Sequence, residues 1–177
     1  MKCELIELQN KIHAQNVEMG WWDDVRPFYV FACLFHSELS EAMEGDRKGL
    51  MDDHLPQYPM FQVELADFVI RCLDWLGSVG HERYDYFTGL VDFGDNCAFI
   101  CEMHSQVSSF VTNMKDPYYK NQEAPNAQLA FAVASCFKYA ELQGFDLFKI
   151  INEKVEYNKN RADHKRESRS AEGGKKY

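Results

Sequence analysis

FHSELSEAMEG (residues 35–45) and FQVELADFVIRCLDWLG (residues 61–77) decide the reading of this chain. Each carries two acids three positions apart: Glu38 and Glu41 in the first, Glu64 and Asp67 in the second. At a period of 3.6 residues this spacing puts both carboxylates of a pair on one helical face, about a turn apart. Their neighbours are apolar, with Leu34, Leu39 and Ala42 around the first pair and Val63, Leu65, Ala66 and Phe68 around the second. Either pair alone reads as an ordinary solvated helix face. Two equally spaced pairs on successive helices, both set among apolar residues, would be costly to pack without compensation. A hard divalent cation relieves that cost, because oxygen-only ligation suits magnesium, with manganese as a substitute. No His follows any of these acids at i+3, so the Glu-x-x-His pattern of di-iron bundles is absent.

Outward from these two stretches, helical periodicity dominates and no alternating β-type run appears. The pattern predicts helices at about 4–18, 26–48, 60–79, 95–113, 125–143 and 145–158. Breakers separate them: Pro27 at the start of the second, Gly49, Pro56 and Pro59 between the second and third, Gly77 and Gly80 after the third, Pro117 and Pro125 around a loop, and Gly144 after the fifth. The expected fold is all-α, a four-helix bundle core with additional helices, in one domain over residues 1–161. The stretch from 81 to 94 is the least patterned, with room for a short helix, and residues 162–177 read as a mobile basic tail. FHSELSEAM (35–43) is echoed by MHSQVSSFV (103–111), which aligns His36 with His104 and replaces Glu38 and Glu41 by Gln106 and Ser109. A degenerate second helical hairpin over 95–144 and a chance likeness between amphipathic helices both account for this echo.

Composition narrows the function. The chain has 177 residues, 46% of them hydrophobic, which is ample for a core. A formal charge of −9 argues against binding a nucleic-acid polymer, which requires clustered Lys and Arg. Phosphates handled by such a chain need a metal to bridge them. Neither a signal-peptide pattern nor a membrane-spanning run is present, so a cytoplasmic protein is expected. The six cysteines lack C-x-x-C spacing and read as reduced thiols.

The residues also carry a resemblance. E-x-x-E, a gap of 22 residues and E-x-x-D, with GWWDD at 20–24, HSELSEAMEGDRKGL at 36–50, ELADFVIRCLDWLGSVG at 64–80 and EKVEYNKNR at 153–161, fall in the order of the MazG-like all-α nucleoside triphosphate pyrophosphohydrolases. The likeness omits roughly 81–125. It implies magnesium-dependent hydrolysis of a nucleoside triphosphate to monophosphate and pyrophosphate, in nucleotide-pool sanitation or dNTP control. It also implies that Glu38, Glu41, Glu64 and Asp67 are the metal-binding, catalytic acids, one of which, Glu41 by our choice, takes the proton from water. Lys154, Tyr157, Asn158 and Arg161 match the family's closing K-x-x-Y-N-x-x-R pattern, which implies substrate contact; a helix end favouring cations is the bland account of the same residues. The proline and His-Gly ending common in the family are missing, although His164 remains. Specificity like that of dUTPases or dCTPases is the alternative within this superfamily, and a silent helical module binding nucleotide or protein is the alternative outside it. A homodimer or higher homo-oligomer is the commoner arrangement implied.

Trp21 and Trp22 are candidate substrate residues, one stacking on the base and the other capping the core. His36 lies off the face of Glu38 and reads as a packed residue. Cys97, Cys101 and His104 share a helical face at spacings of four and three, but three candidates on one helix fall short of the four separated ligands of a structural zinc site.

Overall fold

The computed structural model describes residues 2–84, 93–119 and 123–173, so much of the stretch read as unpatterned, residues 85–92, lies outside the described residues. The described residues are helical and contain no strand. Six long helices follow in order: α1 Lys2–Glu18, α2 Phe28–Lys48, α3 Met60–Ser78, α4 Asn96–Lys115, α5 Ala124–Gln143 and α6 Leu147–Asn160. A 3-10 turn, Ala162–His164, and a short α7, Arg166–Ser170, come last.

Helix starts follow side-chain chemistry. Asp95 accepts from Ala98 N at 2.9 Å and Asp146 accepts from Lys149 N at 2.9 Å, so each satisfies an amide that the first turn leaves free. Pro27 sits just before α2 in extended backbone rather than inside its first turn. At the other end Gly49, with φ of 63°, takes the left-handed conformation and donates its amide to Asp46 O.

Helix α3 is the axis of the fold. Its sequence is apolar around most of its circumference, and it packs against α1, α2, α5 and α6. Helices α2 and α3 run antiparallel, since Phe31 meets Trp75 and Phe35 meets Phe68. Gly45 lets the two helices pack tightly at that end: a Cβ there would lie 2.8 Å from the Met60 side chain. Helix α4 closes on α2 in the opposite sense, with Asn96 beside Asp46, His104 beside His36 and Phe110 beside Phe28. Because α4 also packs on α5, and α5 on α3, the four helices α2, α3, α5 and α4 form a closed ring around one apolar core. Tyr139 stacks on Phe99 at 3.9 Å inside it and donates its hydroxyl hydrogen to Asn96 Oδ1.

Helix α1 covers the far face of α3, where Gly77 admits the His13 side chain. His13 Nδ1 and Trp22 Nε1 both reach Asp74, at 2.8 and 2.9 Å, so the turn after α1 is tied to the last part of α3. The tail that the sequence leaves mobile is, over residues 162–173, folded against this same turn. Arg166 pairs with both carboxylate oxygens of Asp23, and the Arg169 guanidinium sits 3.7 Å over the Trp21 ring. No helix among the described residues is long and apolar enough to cross a membrane.

Candidate functional site

The acid pairs of α2 and α3 face each other across the antiparallel contact. Glu38, Glu41 and Glu64 each offer a carboxylate oxygen within 4.8 Å of the others. Ligand oxygens on an octahedral magnesium are separated by roughly 2.9 to 4.2 Å, given metal–oxygen distances of about 2.0–2.1 Å. The three acids therefore match a hard divalent ion in donor type, and their oxygens lie close to that spacing. Asp67 is drawn aside: its Oδ2 lies 3.0 Å from Lys154 Nζ, and that lysine is only 2% exposed.

Two cations hold two of the four acids. Arg71 donates from Nε to Glu38 Oε1 at 2.7 Å, and Lys154 pairs with Asp67. Burial raises the Glu38 carboxyl above its usual 4.5, against the opposing pull of Arg71. Burial likewise raises Asp67, against Lys154. Burial alone would lower the Lys154 ammonium, but the charge and hydrogen bond of Asp67, with Asp52 and Glu64 behind them, hold it above 10.5. Among the described residues no cation pairs directly with Glu64, although Lys154 pulls against its shift. Burial and then the charges of Asp67, Glu38 and Glu41 push it up to about 9. In the metal-free protein at neutral pH it therefore holds a proton, and a cation seated among the acids would displace that proton. Glu41 is exposed and accepts from Ser37 Oγ at 2.8 Å.

These acids line a cavity of about 310 Å³. Cationic and polar residues line the same cavity: Arg26, Lys154, Asn158, Arg161 and His164, with Trp21. Of the residues singled out in the sequence, Glu38, Glu41, Glu64, Asp67, Trp21, Lys154, Asn158 and Arg161 line this one cavity. Two are placed elsewhere. Trp22 stacks on Phe31 and donates to Asp74, so it is a packing residue that caps the core. Tyr157 lies tilted over His54 with ring centroids 4.9 Å apart and lines a neighbouring, more open cavity with Arg161. Arg161 is itself forked onto Asp163 at 2.7 and 3.0 Å. Asn158 Oδ1 is buried with no hydrogen-bond partner among the described residues. His54 Nδ1 is 3.3 Å from Lys154 Nζ, and its pKa is lowered by burial and by that neighbouring charge.

Sequence reasoning missed Arg71 and Arg26. Arg71 was legible: Glu64, Asp67, Arg71 and Asp74 recur at three, four and three residues, a polar stripe up an otherwise apolar helix. Arg26 was not, because its position depends on the turn after α1. Its guanidinium lies 4.4 Å over Phe31 and 5.3 Å from Trp22, its Nε has no hydrogen-bond partner among the described residues, and burial lowers its pKa. No protein-family model, curated protein or solved structure matches this chain.

Proposed function

We propose that this chain is a magnesium-dependent nucleoside triphosphate pyrophosphohydrolase of the MazG-like all-α kind, splitting its substrate into monophosphate and pyrophosphate. The observation that carries the proposal is the lining of a single cavity: three converging carboxylates together with Arg26, Lys154, Asn158 and Arg161. Acids that can hold a hard cation, in one cavity with cations that can hold phosphate oxygens, suit a polyanion delivered with its metal. The cation, when bound, supplies charge that neutralises the triphosphate.

The chain's own residues divide the remaining work. Glu38, Glu41 and Glu64 hold the cation, and Asp67 joins them to the extent that Lys154 releases it toward phosphate. Arg71 fixes the Glu38 carboxylate in direction. Lys154, Arg161 and the Asn158 side chain receive the phosphate oxygens, with Trp21, which lines the same cavity, offering an aromatic face for the base. Glu41, the most exposed of the acids lining the cavity, takes the proton of the attacking water.

The test is pyrophosphate release from a panel of dNTPs and NTPs, with and without magnesium, comparing the unaltered chain with Glu64→Gln and Glu41→Gln. Magnesium-dependent release lost in both variants is expected, and the panel gives the base and sugar preference. Absence of release from every substrate by well-folded protein would sink the proposal.

A further inference from the structure

Arg26 enters the cavity from the segment between α1 and α2. Its guanidinium lies 4.4 Å over the Phe31 ring and 5.3 Å from the centre of Trp22, so it is seated by its flat face. Trp22 is itself fixed, because its Nε1 donates to Asp74 Oδ1 at 2.9 Å, and Asp74 is in turn held by His13 Nδ1 at 2.8 Å. An aromatic platform of this kind sets the plane of a guanidinium without using its N–H groups. Arg26 Nε is shielded from water and has no acceptor among the described residues, so donor capacity is left unspent at a residue that lines the cavity.

The surroundings of Arg26 differ from those of the residues that receive phosphate in the proposed reaction. Apart from burial, Arg26 responds most to the charges of Asp74, Arg169, Arg71 and Asp24, whereas Asp67 acts on both Lys154 and Arg161. Asp74 follows Asp67 by two turns of α3, roughly 10 Å at about 1.5 Å per residue. The cavity runs along that stretch, since Glu64, Asp67, Ile70, Arg71 and Asp74 all line it. Arg169, whose charge acts on Arg26, sits 3.7 Å over the Trp21 ring, which puts Trp21 on the same side of the cavity as Arg26. A nucleotide whose phosphates meet Lys154 extends its sugar and base over a comparable length, toward Arg26 and Trp21.

Resting on the reading of this cavity as a nucleotide site, we infer that Arg26 selects the base: two N–H groups of its guanidinium donate to O6 and N7 of a 6-oxopurine, so that guanine and hypoxanthine nucleoside triphosphates are preferred. That edge offers two acceptors and no donor, and it is the commonest specific partner of a forked guanidinium. Adenine sets an amino group beside N7 and would point it at the donors of Arg26. Both oxygens of Asp74 are already engaged, by His13 and Trp22, so this acid does not take up such an amino group. Uracil and thymine place an N–H between their carbonyls, and cytosine flanks its acceptor N3 with an amino group. A site whose donors expect two base acceptors rejects a base lacking either, because those donors are then left unpaired.

Turnover and equilibrium binding on one panel test this: dGTP, dITP, 7-deaza-dGTP, dATP, dCTP and dTTP with magnesium, binding being read as tryptophan quenching. dGTP should exceed dATP, dCTP and dTTP by about tenfold or more in kcat/KM and in affinity. dITP should match dGTP within about threefold, because the 2-amino group is not read. 7-Deaza-dGTP, with carbon in place of N7, should lose about tenfold on the unaltered chain, a result that needs no substitution. Arg26→Met and Arg26→Lys should each lower dGTP by about tenfold more than they lower dATP, since an ammonium keeps the charge but not the fork. A loss spread equally over all bases would make Arg26 a phosphate contact and overturn the base assignment, as would a cytosine preference or an undiminished 7-deaza substrate. Pyrophosphate release without base preference overturns this inference alone. Binding with the stated preference but without release overturns only the hydrolysis, and binding of no nucleotide overturns both.

Discussion

Lys154 reaches from α6 to within 3.0 Å of Asp67 on α3, and both groups are screened from solvent by the helices around them. A buried pair of this kind is more costly to break than to omit, because the partner left behind keeps its charge without compensation. Lys154→Met should therefore destabilise the metal-free chain by about 3–5 kcal/mol. Adding Asp67→Asn to it should recover more than half of that loss. Urea unfolding without divalent ions measures both, and a Lys154→Met cost below about 1 kcal/mol would show that the pair is solvated.

Glu64 gives a pH dependence with a defined sign. Its carboxyl is held up at about 9 in the folded metal-free chain, against an ordinary 4.5. The folded state thus keeps a proton that the unfolded state loses, and stability falls as pH rises through the interval between those values. Below about 4.5 the group contributes no dependence, and above about 9 its penalty is complete. Glu64→Gln should flatten the alkaline side of the stability profile, and saturating magnesium should flatten it in the unaltered chain. Thermal unfolding from pH 5 to pH 9 provides the readout; identical profiles for the chain and its Gln variant would refute the assignment.

The docked tail makes a separate prediction. Arg169 stacks on Trp21 and donates to Met19 O at 3.1 Å. Arg169→Ala should shift tryptophan emission to the red by opening the Trp21 ring to water, at a cost of no more than about 1 kcal/mol. Since Trp21 lines the cavity, KM for the proposed substrate should rise more than kcat falls. An unchanged emission spectrum would place the tail elsewhere in solution.

A hydrogen-bonded chain crosses the ring of helices from Tyr139 through Asn96 to Asp46, each step 2.5 Å. Tyr139→Phe preserves the stack on Phe99 and leaves Asn96 Oδ1 without that donor. A loss of about 1–3 kcal/mol in denaturant unfolding is expected. A neutral result would mean that water replaces the hydroxyl.

How much of this was readable beforehand depends on whether a residue's position follows from its own helix. The six long helices and the acids of α2 and α3 were legible, because apolar periodicity and the three-residue spacing are properties of a single element. Asp67 was legible as a member of the quartet, but its turn toward Lys154 was not, since the lysine arrives from α6. Of Trp21 and Trp22, one was read as stacking on a base and one as capping the core without saying which, and Asp74 and Phe31 claim Trp22; Tyr157, read as a substrate residue from the closing pattern, lies against His54. The tail looked mobile because RADHKRESRS has no apolar period. Its contacts are instead a guanidinium on an indole and a forked ion pair, which hydrophobic patterning does not register. His36 and His104 were aligned in the sequence echo, but their contact required knowing that α4 folds back on α2.

The ion pairs of the acidic cluster also set an electrical capacity. Four carboxylates with Arg71 and Lys154 bound to two of them leave a formal charge of −2 in the fully ionised cluster. That is the complement of a single divalent ion. Any second ion entering alone would leave the cluster with net positive charge and would be poorly held; arriving on a triphosphate, it would bring its own counter-charge. If the proposed function holds, one bound cation would neutralise the cluster, and any further metal would have to arrive with the nucleotide.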